Sequence, residues 1–151
     1  MMRIDSDGIP EPSMDSRFIL GIPEIDAQHE ELAVVVKSLQ GVIARKDQRL
    51  LIHPMMKRLN HLLVNHFKYE ESLMGMVQVT DLTEHKKMHS GILKLFQDYF
   101  DQPPESGDHE QLGKLIGDRI FTHVIDYDIH MADTVKRHLA TASQAKNAAL
   151  A

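Results

Sequence analysis

The sequence contains no cysteine, which excludes disulfides, thiolate-bound metals and iron–sulfur clusters; any metal must be held by nitrogen and oxygen. Positive charge is also short. Seventeen Lys and Arg stand against 22 Asp and Glu, a formal charge of −5 with no basic stripe, which argues against nucleic acid as a partner. No apolar run approaches the length of about 18 residues that a membrane-spanning helix needs. The opening MMRIDSDGIPEPSMDS is polar and acidic where a signal peptide would be basic and then apolar. A soluble, cytoplasmic protein without a membrane span is expected. Strand signals are missing too, since no stretch alternates apolar and polar residues between hairpin turns.

What the sequence does have is helical periodicity. At 151 residues it fits one domain with a core of its own. Residues 1–17, with Pro10 and Pro12 among Asp and Ser, read as an extended N-terminal arm. From Pro23, suited to a first helical turn, Ile25, His29, Leu32, Val36, Leu39 and Ile43 recur at helical spacing, which predicts a helix over 23–45. A second helix is predicted from Pro54 to about Gly75, with Met55, Leu59, Leu62, His66, either Tyr69 or Glu70, and Leu73 on its stripe. A third follows Thr83 and carries His85, His89, Ile92, Phe96 and Tyr99. Pro103, Pro104 and Gly107 break the chain before a fourth with Leu112, Ile116, Ile120, His123 and Tyr127. The expected fold is all-α: an up-down-up-down antiparallel four-helix bundle over 18–140, followed by an Ala-rich tail over 141–151.

Ten histidines are the abnormal number. Five of them, His29, His66, His85, His89 and His123, fall on the buried stripes of the four helices. An unsatisfied buried polar group costs about 1–3 kcal/mol, so five imidazoles facing one core need shared partners. His85 and His89, four apart on one face, can grip a single metal; His66 and Glu70 can offer it an imidazole and a carboxylate. A carboxylate has two oxygens and can bridge two metals, and inward Glu and His from several helices are how bundles build such sites. The bland reading of any one of these positions is a satisfied core histidine, and it is their joint placement that points to metal. His53, His61, His109, His130 and His138 miss the stripes and are expected at the surface. Met55, Met74, Met76, Met88 and Met131 are expected as core filler.

The segments GIPEIDAQHEEL, HFKYEESLM, HKKMH and HVIDYD together resemble the signatures of the bacterial hemerythrins, over about residues 18–135. The resemblance implies two iron ions joined by an oxo or hydroxo bridge. His85, His89 and His123 would hold one, His29 and His66 the other, and Glu70 and Asp128 would bridge them. Five imidazoles, two bridging carboxylates and the bridge then leave one position open, on the iron with two histidines, for molecular oxygen. Reversible oxygen binding for transport, storage or delivery is the implied function, and an enzyme is not expected. A di-iron oxidase, peroxidase or nitric oxide reductase, or an oxygen or redox sensor, stands as the alternative. Leu32, Leu62 and Ile92 are expected to wall the pocket.

Asp128 strains this pattern. Five steps of an ideal helix turn about 500°, which leaves Asp128 about 140° from His123, so spacing alone prefers Asp126. A local π-type turn would bring Asp128 into line, and Asp126 is held in reserve. The chain also has no Trp where relatives carry one before the first helix and before the fourth-helix histidine; Phe18 and Phe121 lie near those places.

Overall fold

The computed structural model describes residues 16–46, 49–102 and 109–150. Among them every regular element is helical: α1 (Pro23–Ala44), α2 (Ile52–Met76), α3 (Leu82–Phe100), α4 (His109–His123), a π-helical segment (Val124–Asp128) and α5 (Ile129–Ala149), with short 3-10 turns at Ser16–Phe18 and Arg49–Leu51. α4, the π segment and α5 form one continuous rod, so the bundle has four rods as the periodicity predicts. α1 packs on α2 and α4, and α3 packs on the same two helices. Residues 1–15 of the predicted arm, most of the Pro-containing connection and Ala151 lie outside the described residues.

The first helix starts where local chemistry favours it. α1 opens on Pro23, whose missing N–H is no loss in a first turn, and Glu24 and Asp26 sit at the positive end of its dipole. Asp26 also accepts hydrogen bonds from the Leu20 and Gly21 amides at 2.6 and 3.1 Å, while Lys136 Nζ donates to the Leu20 carbonyl at 2.6 Å. These contacts fasten the segment before α1 to both α1 and α5. Thr83 lies inside α3, and Asp81 precedes it without a side-chain cap bond.

The buried stripes differ in detail from those predicted. On α1, Val35 and Val42 are buried in place of Val36 and Ile43, which are half-buried at its flank; on α2, Met56, Leu63 and Met74 replace Met55, Leu62 and Leu73. Each is a shift of one residue, because α1 and α2 each touch two neighbours and the apolar face is wider than one row of side chains. Met76 is exposed, so it is not core filler. His53 is half-buried, its ring 5.6 Å from Phe100 and 5.9 Å from Tyr99, and His109 is half-buried as well. α5 remains helical through the Ala-rich stretch expected as a tail, with every residue from Lys136 to Leu150 exposed.

Two apolar clusters fill the bundle. The larger includes Leu32, Leu39, Met56, Leu59, Leu63, Phe96 and Ile116; the smaller joins Leu20, Ile25, Met74, Met131 and Val135. The polar centre belongs to neither of them. α4 reaches α1 through glycine: a Cβ on Gly113 would lie 2.7 Å from Ile43 Cδ1. Gly113→Val is therefore expected to lower stability by about 1–3 kcal/mol through overpacking, read as a shift in urea midpoint at unchanged slope.

Candidate metal centre

Seven buried polar side chains converge at the middle of the bundle: His29 from α1, His66 and Glu70 from α2, His85 and His89 from α3, His123 from the end of α4 and Asp128 from the end of the π segment. All are at most 3% exposed, a burial that such groups tolerate only when partnered. All seven residues singled out in the sequence are therefore in one place.

Asp128 arrives there because of the π segment. The Ile129 amide bonds to the Val124 carbonyl, five residues back instead of four, so one extra residue is taken into the turn. His123 and Asp128 consequently share a face, with Nε2 and Oδ1 3.0 Å apart. Asp128 is fully buried and Asp126 is exposed.

The two carboxylates straddle two groups of histidines. Glu70 places Oε1 3.1 Å from His66 Nε2, and Oε2 3.1 Å from His89 Nε2 and 3.5 Å from His85 Nε2. Asp128 places Oδ1 3.1 Å from His85 Nε2 and 3.0 Å from His123 Nε2, and Oδ2 3.4 and 3.7 Å from His29 and His66 Nε2. Each acid thus sends one oxygen to the set His85, His89, His123 and the other to the set His29, His66. Within the group Glu70, His85, His89, His123, Asp128, and again within His29, His66, Glu70, Asp128, ligand atoms lie within 4.8 Å of one another.

The outer ring nitrogens are held in ways the sequence did not reveal. His29 Nδ1 donates to the Phe18 carbonyl at 2.8 Å, His66 Nδ1 to Gln28 Oε1 at 2.7 Å and His89 Nδ1 to Glu71 Oε1 at 2.8 Å. With Nδ1 carrying the proton, the neutral tautomer turns the Nε2 lone pair inward. Phe67 stacks on His89 at 3.9 Å and 9°, and Tyr127 stacks on His123 at 5.5 Å and 18°. Gln28 and Glu71 each neighbour a singled-out residue in sequence, but no spacing rule marks either. The tertiary fold selects them.

These groups are poorly satisfied by one another. His89 Nε2 and His123 Nε2 face each other at 3.0 Å, and the buried atoms His29 Nε2, Glu70 Oε1, His123 Nδ1 and Asp128 Oδ2 have no aligned hydrogen bond, although some lie within ion-pair range. Burial and the Asp128 charge push the Glu70 carboxyl up, but His66 and His85 outweigh them and hold it at about 2. Asp128 also opposes burial, held well below the carboxylate range by His123, His29, His66 and His85. His66 and His85 are pulled down by burial, yet Glu70 and Asp128 raise both to about 9. Ionised acids beside inward imidazole nitrogens make a donor set of nitrogen and oxygen, which fits a first-row metal.

Two relatives are similar to the chain over part of its length. Over 82 residues the chain is 34% identical to a hemerythrin-like protein of Naegleria gruberi, a match covering 54% of this chain and 63% of that protein. Over 123 residues it is 24% identical to a bacteriohemerythrin of Pseudomonas aeruginosa, covering 80% of this chain and 78% of the other. The chain is thus similar to hemerythrin-like proteins. It spans less than two thirds of the length of the amoebal hemerythrin-like protein. No family model and no solved structure matches the chain.

The pocket wall expected from the stripes is corrected at one position. Leu32 and Ile92 line a cavity beside the centre, whereas Leu62 does not and Leu63 takes its place. Phe18 and Phe121, their ring centroids 5.4 Å apart, line the same cavity. Among the described residues no helix is long and apolar enough to cross a membrane.

Proposed function

We propose that this protein holds two iron ions at the centre and binds molecular oxygen reversibly. The observation that supports this most is the pair of carboxylates, each with one oxygen toward members of the set His85, His89 and His123 and the other toward the set His29 and His66. Glu70 and Asp128 would bridge the ions, with His85, His89 and His123 completing one side and His29 and His66 the other. The names of the relatives point the same way. When bound, a reduced iron pair supplies two electrons to oxygen and recovers them on release.

The remaining work falls to the protein's own side chains. Phe18, Gln28 and Glu71 hold three imidazoles in the tautomer that presents Nε2 inward. Leu32, Leu63, Ile92 and Phe121 give the side where His29 and His66 stand an apolar lining, which disfavours water and protons there. Histidine outnumbers carboxylate five to two in the cluster, a ratio that favours carrying oxygen over activating it against a substrate.

The test is the visible spectrum of the reduced, desalted protein before and after air, with iron quantified and argon used for reversal. A band that appears with air and disappears under argon, at two irons per chain, is the expected result. Irreversible oxidation would favour an oxidase, peroxidase or sensor, and absence of iron would remove the reading altogether. A second variant probes positioning: Glu71→Ala frees His89 Nδ1 and is expected to weaken metal retention about 10–100-fold in chelator competition, with helix content unchanged.

A further inference from the structure

A cavity of about 270 Å³ lies between α1 and α4 and runs inward into the candidate centre itself, where His29, His66, His123 and Asp128 line it. Its walls are apolar, made by Leu32, Ala33, Val36, Ile120 and Phe121. The exposed residues Lys37, Gln40 and Asp118 stand at its outer end. Apolar walls with a few polar groups at the ends are the composition of a small-molecule site.

Gly117 belongs to the same outer end. A Cβ there would meet Gln40 Nε2 at 2.7 Å and Val36 Cγ1 at 3.7 Å, so a longer side chain would take up the space between α1 and α4. Lys37 and Asp118 bring opposite charges to the opening, which favours neither an anion nor a cation.

We propose that this cavity is a binding site for a small, uncharged organic molecule: an aromatic ring or short aliphatic body against the apolar walls, with one hydroxyl-type group held at the mouth by Gln40, Lys37 or Asp118. Gly117 sets the width of its entrance. An occupant lies between solvent and His29 and His66, and so governs what else reaches them. The site goes beyond oxygen binding and does not depend on it.

The experiment is equilibrium dialysis of the full-length protein as purified against 2-naphthol, one apolar body with one hydroxyl, read by its own emission, which no Trp obscures. Saturable binding of one molecule per chain is expected. Gly117→Leu should weaken it about ten-fold or more, Ala33→Leu should do the same from the inner wall if the first variant folds poorly, and Gly75→Ala, with open space around it, should leave it unchanged. No saturable binding to the unmodified protein, or equal affinity in the two cavity variants, overturns the proposal. Iron is assayed in the same samples: naphthol binding without iron supports the cavity site and removes the oxygen reading, whereas iron with a reversible response to air and no naphthol binding overturns the cavity site alone.

Discussion

Asp128→Ala is expected to empty the centre of metal and to destabilise the bundle by about 3–5 kcal/mol, the cost of removing one partner from a buried ion-pair network. Its carboxylate faces His29, His66, His85 and His123 at 3.0–3.7 Å, so four imidazoles lose an acceptor together. Asp126→Ala, only two residues earlier, removes an exposed group and should change stability by no more than about 0.5 kcal/mol with iron retained. Iron per chain and urea midpoints for the two variants separate the cases. Equal loss in both, or retention of two irons by Asp128→Ala, would show that the π segment does not deliver a ligand.

Stripping the metal is expected to produce the other large effect. Metal held at a thousand times its dissociation constant adds about 4 kcal/mol to stability, so chelation should lower the melting temperature sharply. The metal-free bundle should then have a pH dependence of its own. His66 and His85 rise from 6.5 unfolded to about 9 folded, so their contribution is complete below pH 6.5 and is lost as pH climbs through 9. Glu70 falls from 4.5 to about 2, so its contribution is complete above pH 4.5 and is lost as pH drops through 2. Metal-free stability should therefore peak between pH 4.5 and 6.5. Metal retention should instead improve from pH 6.5 to 9, because ions and protons compete for the same imidazoles, and loading near neutral pH should release protons. Parallel slopes for stability and retention would contradict this account.

The histidines show why much of the centre was legible beforehand. Each of the five lies where the apolar repeat of its helix requires a core side chain, and a titratable group at such a position needs a partner. The same periodicity places Glu70 four residues after His66, on one face. It fails at Asp128, because a repeat near 3.6 assumes the i to i+4 bond that the Val124–Asp128 segment replaces. It also fails by one residue at Leu62, where Leu63 meets the cavity, since rotation of a helix about its axis is decided by its neighbours.

By itself the sequence determined an all-helical bundle and six of the seven polar residues turned into it, because helical repetition fixes which residues share a face, whatever the partner helices do; Asp128 came from the family resemblance and is delivered by the π segment. Only the tertiary structure decided which carboxylate oxygen meets which histidine and that Phe18, Gln28 and Glu71 orient three of the rings. It also decided that a cavity opens between α1 and α4 beside Gly117. Those features depend on how closely the helices approach and how each is rotated, which are settled by the packing of side chains far apart in the chain.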